Sequence, residues 1–181
     1  ELDRQLLDIF STNVSIAFEN LLLDKEIEDT QAELIHRLGD VVENRSKEAA
    51  NHVVRMAELS YALGKIAGLD DYNADLLRKA SPMHDLGKIA IPDSVLLKPG
   101  KLDDAEWEVM RSHAHLGAEI LSGSERPLLY AAAIIAEQHH ERFDGTGYPQ
   151  GLKGEDIHLY ARIVAIADVF DALIHKRCYK E

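Results

Sequence analysis

The apolar positions of residues 1–44 recur at a helical spacing. This stretch contains no proline, and its one glycine is Gly39. Two registers repeat every seventh residue, namely Ile16, Leu23 and Thr30, and Asn20, Ile27, Leu34 and Val41. A short heptad pattern of this kind has two interpretations. It predicts either a helical stalk that forms a homodimer and transmits a signal, or an ordinary amphipathic helix that packs on its own domain.

The rest of the chain also has helical patterns, and strand signals are nearly absent. Helices are predicted over residues 46–69, 75–83, 103–113, 116–121, 127–140 and 159–174, with a short extended link at 89–92. The start of the helix near residue 103 is marked by Asp103 and Glu106, which are typical of a capping box. The predicted fold class is therefore all-α.

Composition narrows the classes of function. A chain of 181 residues with 46% hydrophobic and 29% charged residues fits a globular protein with one sizeable domain. No apolar run approaches the ~20 residues of a membrane span, and the single cysteine, Cys178, fits a reducing cytoplasm. A net charge of −12 argues against binding long nucleic acids. It does not exclude a small phosphorylated ligand, because bound metal ions can invert the local field.

The most informative segment is the histidine pair His139-His140, followed by a glycine-rich turn that ends at Gly147-Tyr148-Pro149. Adjacent side chains on a helix point about 100° apart. From a helix end, the pair can therefore reach two metal ions, or one ion and a substrate. The open backbone and the aromatic ring of the turn suit an anionic ligand, so the segment predicts a metal-dependent site.

Other candidate ligands are scattered along the chain. His84 and Asp85 are adjacent, and Glu48 and His52 share a helix face at positions i and i+4. Alone, such pairs are more often helix caps or surface contacts. Asp168 lies inside the apolar run 163–170, where a carboxylate is costly unless it is paired or ligated. Of His113 and His115, only one can point the same way on a helix, and we favour His113.

Together the candidates fall on five helical segments, as a multi-metal site in a helical bundle requires. They are Glu48, His52, His84, Asp85, His113, His139, His140 and Asp168. Imidazole and carboxylate ligands without thiolates favour iron or manganese over a structural zinc site.

The order of these motifs resembles the HD-GYP family of bacterial cyclic di-GMP phosphodiesterases, a branch of the HD phosphohydrolase superfamily. The resemblance is carried by His52, the run His84-Asp85-Leu86-Gly87-Lys88, His113, His139-His140-Glu141, Gly147-Tyr148-Pro149, and Asp168-Val169-Phe170-Asp171-Ala172-Leu173. It covers residues 45–181. Residues 13–42 also resemble, more weakly, the helical connector of multidomain response regulators.

The resemblance implies a bundle of about seven helices over residues 45–181, preceded by a helical stalk over residues 1–44. It further implies that the natural domain continues beyond the C-terminus of this chain. A sensory or receiver region of a two-component system is implied upstream of the stalk.

The resemblance also implies a ligand set for two or three divalent ions. His84, Asp85, His113, His139, His140 and Asp168 would form a binuclear core, with Asp85 bridging. His52 would bind a flanking ion, and Glu48 would add the capacity for a third.

The implied reaction is hydrolysis of cyclic di-GMP to pGpG, GMP or both, by attack of a hydroxide held between two metal ions. Asp85 and Lys88 would be catalytic, with Lys88 also against the substrate phosphate. Further substrate contacts are implied for Gly147, Tyr148, Asp171, Arg177 and Lys180. Two alternatives stay open: hydrolysis of 3',3'-cyclic GMP-AMP, and a non-catalytic receptor or interaction module for cyclic dinucleotides.

Overall fold

The computed structural model describes residues 2–46 and 51–174. Within these residues it contains seven α-helices and no strand, so the predicted all-α class is confirmed. The helices are α1 Leu2–Ser46, α2 His52–Ile66, α3 Asp71–Ala80, α4 Asp93–Leu96, α5 Asp104–Leu121, α6 Pro127–Gln138 and α7 Leu159–Ile174. Short 3₁₀ helices lie at Ser81–Met83, Leu86–Ala90 and Gly154–Asp156.

The chain forms two compact units, Glu1–Leu34 and Ile35–Glu181. The boundary lies ten residues before the predicted end of the stalk, because the last turns of α1 pack within the second unit. Ile35, Gly39, Val42, Glu43 and Ser46 form a buried stripe on one face of this helix. A Cβ atom on Gly39 would lie 3.0 Å from the carbonyl oxygen of Pro82, so the glycine permits a close approach.

In the first unit, α1 exposes many large apolar side chains, among them Leu6, Phe10 and Phe18. By length and composition it is the one described helix apolar enough to cross a membrane. A single such helix is weak support for a span. The expectation that the chain has no membrane span stays a prediction.

The core of the second unit lies between α2, α3, α6 and α7. Met56, Leu77, Ile135 and Val164 come from these four helices and are fully buried. Burial of each such side chain is worth about 1.5–3 kcal/mol. This packing fixes the helix ends that carry the candidate ligands.

Helix boundaries differ from the sequence-based prediction at two places. The helix predicted to begin at residue 46 begins at His52, after Asn51, whose φ of 64° interrupts a continuous helix. The two helices predicted over 103–113 and 116–121 form the single helix α5, which starts with the predicted capping box of Asp103 and Glu106. No proline lies between Asp104 and Leu121 to interrupt this helix, and Gly117 is buried within it.

Candidate metal centre

Four histidines converge in the interior of the second unit. His52, His84, His113 and His139 are each at most 3% exposed. His52 is the first residue of α2, His84 follows the 3₁₀ turn after α3, His113 lies on α5, and His139 caps α6. Each imidazole is therefore presented by a different part of the bundle.

In each of the four rings the Nδ1 atom contacts an oxygen atom, which is a carboxylate oxygen for His52 and a backbone carbonyl oxygen for the other three. His84 Nδ1 lies 2.9 Å from the carbonyl oxygen of Ser81, His113 Nδ1 2.6 Å from that of Met110, and His139 Nδ1 2.9 Å from that of Ala136. A carbonyl oxygen only accepts hydrogen bonds, so Nδ1 carries a proton. The Nε2 lone pair is left to face the interior, which is the tautomer that a metal ligand requires.

The potential ligand atoms form two groups whose members lie within 4.8 Å of one another. One consists of Asp85, His113, His139 and His140, and the other of His52, His84 and Asp168. Each group combines imidazole and carboxylate donors, a set suited to borderline divalent transition metals.

Asp85 links the two groups through its separate carboxylate oxygens. Its Oδ1 atom lies 3.2 Å from Nε2 of His113 and 3.6 Å from Nε2 of His139. Its Oδ2 atom lies 3.3 Å from Nε2 of His84. One oxygen therefore faces each group, as a bridging carboxylate would. The ammonium of Lys88 lies 2.6 Å from Oδ2.

Burial and the short distances between these side chains shift the pKa values of His84, His140 and Asp85. Burial alone would lower the pKa of His84, but the Asp85 carboxylate outweighs it and raises this pKa to about 9. Burial lowers the pKa of His140 well below its usual range, and His139 adds to this effect. Burial opposes ionisation of Asp85, yet Lys88 and His84 hold its pKa well below the usual value. A proton on His84 and a metal ion would compete for the same nitrogen.

The chemistry of this donor set fits divalent ions. Nε2 of His84 and Oδ1 of Asp85 are buried and form no hydrogen bond of ordinary geometry within the described part of the chain. Buried polar atoms left in this state are uncommon and call for a partner. A metal ion in each group would satisfy both atoms.

The Gly-Tyr-Pro turn is folded against the second histidine of the pair. The ring of Tyr148 stacks on His140, with centroids 4.6 Å apart and planes at 25°. Arg111 lies over the Tyr148 ring, 5.5 Å from its centroid. A Cβ on Gly147 would lie 2.3 Å from the backbone nitrogen of Arg142, so only glycine fits there. Burial raises the pKa of Tyr148, so its hydroxyl stays protonated.

Glu141 anchors this turn from inside. Its side chain is buried, and Oε1 accepts hydrogen bonds from the backbone N–H groups of Gln150 (2.7 Å) and Gly151 (3.0 Å). Oε2 accepts one from Leu152 at 3.0 Å. The turn is thereby tied to the residue that directly follows the histidine pair.

Comparison with known proteins agrees with this geometry. Residues 34–181 match the HD domain family. The chain belongs to this family. The chain is 50% identical over 181 residues to the 3'3'-cGAMP-specific phosphodiesterase 2 of Vibrio cholerae, covering all of this chain and 35% of that protein. It is 48% identical over 156 residues to the cyclic di-GMP phosphodiesterase response regulator RpfG of Xanthomonas campestris, covering 86% of this chain and 41% of that protein.

A solved structure supports the same fold. The crystal structure of a cyclic GMP-AMP specific phosphodiesterase of V. cholerae, V-cGAP3, matches with a TM-score of 0.59 and 21% identity. The match covers 80% of this chain and 41% of the V-cGAP3 chain. The predicted resemblance to HD-type phosphohydrolases is confirmed, and the names of the relatives are consistent with the HD-GYP branch. The chain spans 35–41% of the length of the two relatives named here.

The HD domain brings seven of the eight predicted metal ligands together. The eighth, Glu48, lies outside the described residues, as do the predicted substrate contacts Arg177 and Lys180. His113 is buried and belongs to one of the two groups, whereas the side chain of His115 is 59% exposed; that His113 is a metal ligand stays a prediction. The groups also differ from the implied core, because His52 shares a group with His84 and Asp168.

Asp171 is placed differently from the substrate contact that the resemblance implies. It is 2% exposed, and its Oδ2 atom lies 2.8 Å from Nδ1 of His52. The guanidinium of Arg55 donates to both of its carboxylate oxygens. Asp171 therefore contacts the candidate ligand His52 through Nδ1, the ring nitrogen opposite Nε2.

Sequence reasoning also missed Glu43. This residue is 9% exposed, and its Oε1 atom lies 4.0 Å from Nε2 of His52. Its position on the buried stripe of α1, eight residues after Ile35, was the one available signal. Neither interpretation of residues 1–44, a stalk or an amphipathic helix packed on its own domain, assigns an acidic side chain to the metal site.

Proposed function

We propose that this chain is the catalytic domain of a metal-dependent phosphodiesterase that hydrolyses a cyclic dinucleotide. The carrying observation is the pair of ligand groups joined by the two oxygens of Asp85. Divalent ions held there would activate water and neutralise charge on the phosphodiester. The two groups together support two ions, and a third would rest on Glu48.

The chain's own side chains have distinct tasks in this proposal. Asp85 would hold the two ions at a fixed separation, and the buried imidazoles would keep their lone pairs aimed inward. Lys88 lies at the edge of the centre, with its side chain 14% exposed. Its charge would stabilise the phosphate oxygens as negative charge develops on them. The stacked ring of Tyr148 and the backbone at Gly147 would form the wall against the nucleotide.

Iron and manganese are the proposed metals, because the ligand groups found among the described residues combine imidazole and carboxylate donors and include no thiolate. The test is metal content after anaerobic purification and after loading with Fe(II), Mn(II) or Zn(II). We expect two or three ions per chain and turnover with iron or manganese. Turnover confined to zinc would contradict this assignment.

Cyclic di-GMP is the proposed substrate, with pGpG, GMP or both as products. A second candidate, 3',3'-cyclic GMP-AMP, is favoured by the relative of that specificity, which matches the whole chain at 50% identity. The decisive experiment incubates the loaded protein with each dinucleotide in parallel and separates products by chromatography. Cleavage of neither one would overturn the proposed activity.

A receptor that binds a cyclic dinucleotide without cutting it is the remaining alternative. Seven intact candidate ligands favour an enzyme, since binding alone does not need a hydrolytic centre. Binding of intact dinucleotide without product, at full metal occupancy, would instead support the receptor.

We further propose a cytoplasmic protein with an upstream regulatory region, since the chain spans 35–41% of the length of the two relatives named above. The exposed apolar side chains of α1 in the first unit support a homodimer through this helix. Light scattering of the chain against a variant lacking residues 1–34 tests that association. Identical monomeric masses would contradict it.

A further inference from the structure

His52 differs from the three other buried histidines in what holds its Nδ1 atom. Backbone carbonyls hold His84, His113 and His139. His52 is held by a carboxylate, with Oδ2 of Asp171 at 2.8 Å. A carboxylate is a stronger acceptor than a carbonyl and makes the opposite ring nitrogen a better electron donor.

The carboxylate itself is fixed by Arg55. Nε of Arg55 lies 2.6 Å from Oδ1 of Asp171, and Nη2 lies 2.9 Å from Oδ2. Arg55 follows His52 by three residues on α2, so one helix face presents both side chains to the same carboxylate. A guanidinium that donates to both oxygens pairs with the ionised form of a carboxyl group, so Asp171 is presented to His52 as a carboxylate.

Helix α7 supplies a carboxylate at each side of the His52 ring. Asp171 contacts Nδ1, and Oδ1 of Asp168, three residues earlier, lies 3.8 Å from Nε2. The spacing of three residues places both acids on one face of the helix. The orientation of the ring and the position of its candidate co-ligand are thus set by the same helix.

We propose that Asp171, clamped by Arg55, is a positioning residue that orients His52 for a metal ion shared with His84 and Asp168. This inference rests on the proposed metal-dependent function and assigns Asp171 a task other than the substrate contact implied by the resemblance. With 2% of its surface exposed, Asp171 has little area to offer a substrate.

The test measures the affinity of each ion separately in the absence of substrate. Metal-free chain is titrated with Mn(II) by calorimetry, and bound metal is counted by mass spectrometry after dialysis. In Asp171→Ala we expect the ion at His52, His84 and Asp168 to bind about 10–100-fold more weakly. The affinity of the ion at Asp85, His113, His139 and His140 should fall much less than that of the ion at His52. Asp171→Asn should lie between, because its amide oxygen still accepts a hydrogen bond but carries no charge.

Asp75→Asn is the matched control. Asp75 forms ion pairs with Arg78 and Lys79 on α3 and contacts no candidate ligand in the described structure. Both ion affinities should stay unchanged in this variant. Circular dichroism of the metal-free proteins checks folding. If Asp171→Ala does not fold, Arg55→Met serves in its place, with selective weakening of the same ion expected.

Two results would overturn the positioning role: unchanged affinities in a folded Asp171→Ala protein, or equal weakening of both ions. The proposed activity fails separately. A wild-type chain that binds both ions but cleaves no cyclic dinucleotide would overturn the activity, while the selective loss in Asp171→Ala would still support the positioning role.

Discussion

The ammonium nitrogen of Lys88 lies 2.6 Å from Oδ2 of Asp85, the same oxygen that faces His84. Lys88 therefore shares an oxygen with the candidate metal site while its own charge stays at the edge of the centre. In Lys88→Met we expect unchanged or tighter metal binding and a turnover about 10²–10³-fold lower, as for loss of one transition-state contact. Metal analysis and steady-state kinetics on the same preparation measure both quantities.

Lys98→Met is the control for that experiment, because Lys98 also pairs with a carboxylate, Glu106, at 2.6 Å. It lies outside both ligand groups and should leave turnover unchanged. Equal turnover in Lys88→Met and wild type would refute the role of Lys88.

Asp85 is expected to affect both ions, whereas His113 should affect one. Asp85 has oxygens directed at both ligand groups, whereas His113 belongs to one of them. We expect Asp85→Ala to lower the metal count towards zero and His113→Ala to lower it by about one. Metal content per folded chain decides this. Retention of full metal content by Asp85→Ala would argue against a bridge.

Gly87 lies where the segment after Asp85 touches α5. An added Cβ would lie 1.9 Å from the carbonyl oxygen of His113 and 2.5 Å from the backbone nitrogen of Gly117. Backbone atoms cannot move aside as side chains do, so Gly87→Ala should lower the free energy of unfolding by about 3 kcal/mol or more. Urea unfolding of the metal-free protein measures this change.

Gly64→Ala provides the comparison. An added Cβ there would meet side-chain methyl groups of Leu69 and Leu77 at 3.1–3.2 Å, which can shift. We expect a change of less than about 1 kcal/mol, offset in part by better helix propensity. Similar destabilisation in the two variants would show that the backbone contact at Gly87 relaxes.

Arg45 ties the end of α1 to the segment that carries Lys88. Its guanidinium donates to the carbonyl oxygens of Lys88 (2.7 Å), Ile89 (2.9 Å) and Ile91 (2.7 Å). We expect Arg45→Lys to lower the free energy of unfolding by about 1–2 kcal/mol, because a single ammonium cannot reach all three acceptors. Turnover should also fall, since the segment that carries Lys88 is then held less firmly. Metal content should stay unchanged.

The check for Arg45 is the same pair of assays on Arg4→Lys, a change on the exposed beginning of α1. That variant should match wild type in stability and turnover. If Arg45→Lys also matches wild type, the hydrogen bonds to residues 88–91 do not hold Lys88 in position.

The sequence predicted the side chains that meet because their chemistry stands out locally. Asp168 was recognisable as a carboxylate within an apolar run, and helical geometry limited the candidates His113 and His115 to one, of which His113 was favoured. The all-α fold class followed in the same way from the helical spacing of the apolar residues. These features depend on neighbours within one or two helical turns, which a single sequence displays.

Features that depend on distant segments were not predictable. The contact of Asp171 with His52 joins residues 119 positions apart. The need for glycine at position 87 arises from the backbone of α5, and the burial of Glu43 arises from the packing of the last turns of α1. No local pattern encodes such contacts, since they exist only once the helices are assembled.

Glu141 is next in the chain to the two histidines and accepts hydrogen bonds from residues 150–152. The intervening segment is therefore closed at its base, while Arg142, Phe143, Asp144 and Thr146 at its tip are exposed. Substitutions at the tip can accumulate without moving the base. The sequence of the exposed tip can thus change while the histidine pair next to Glu141 keeps its position.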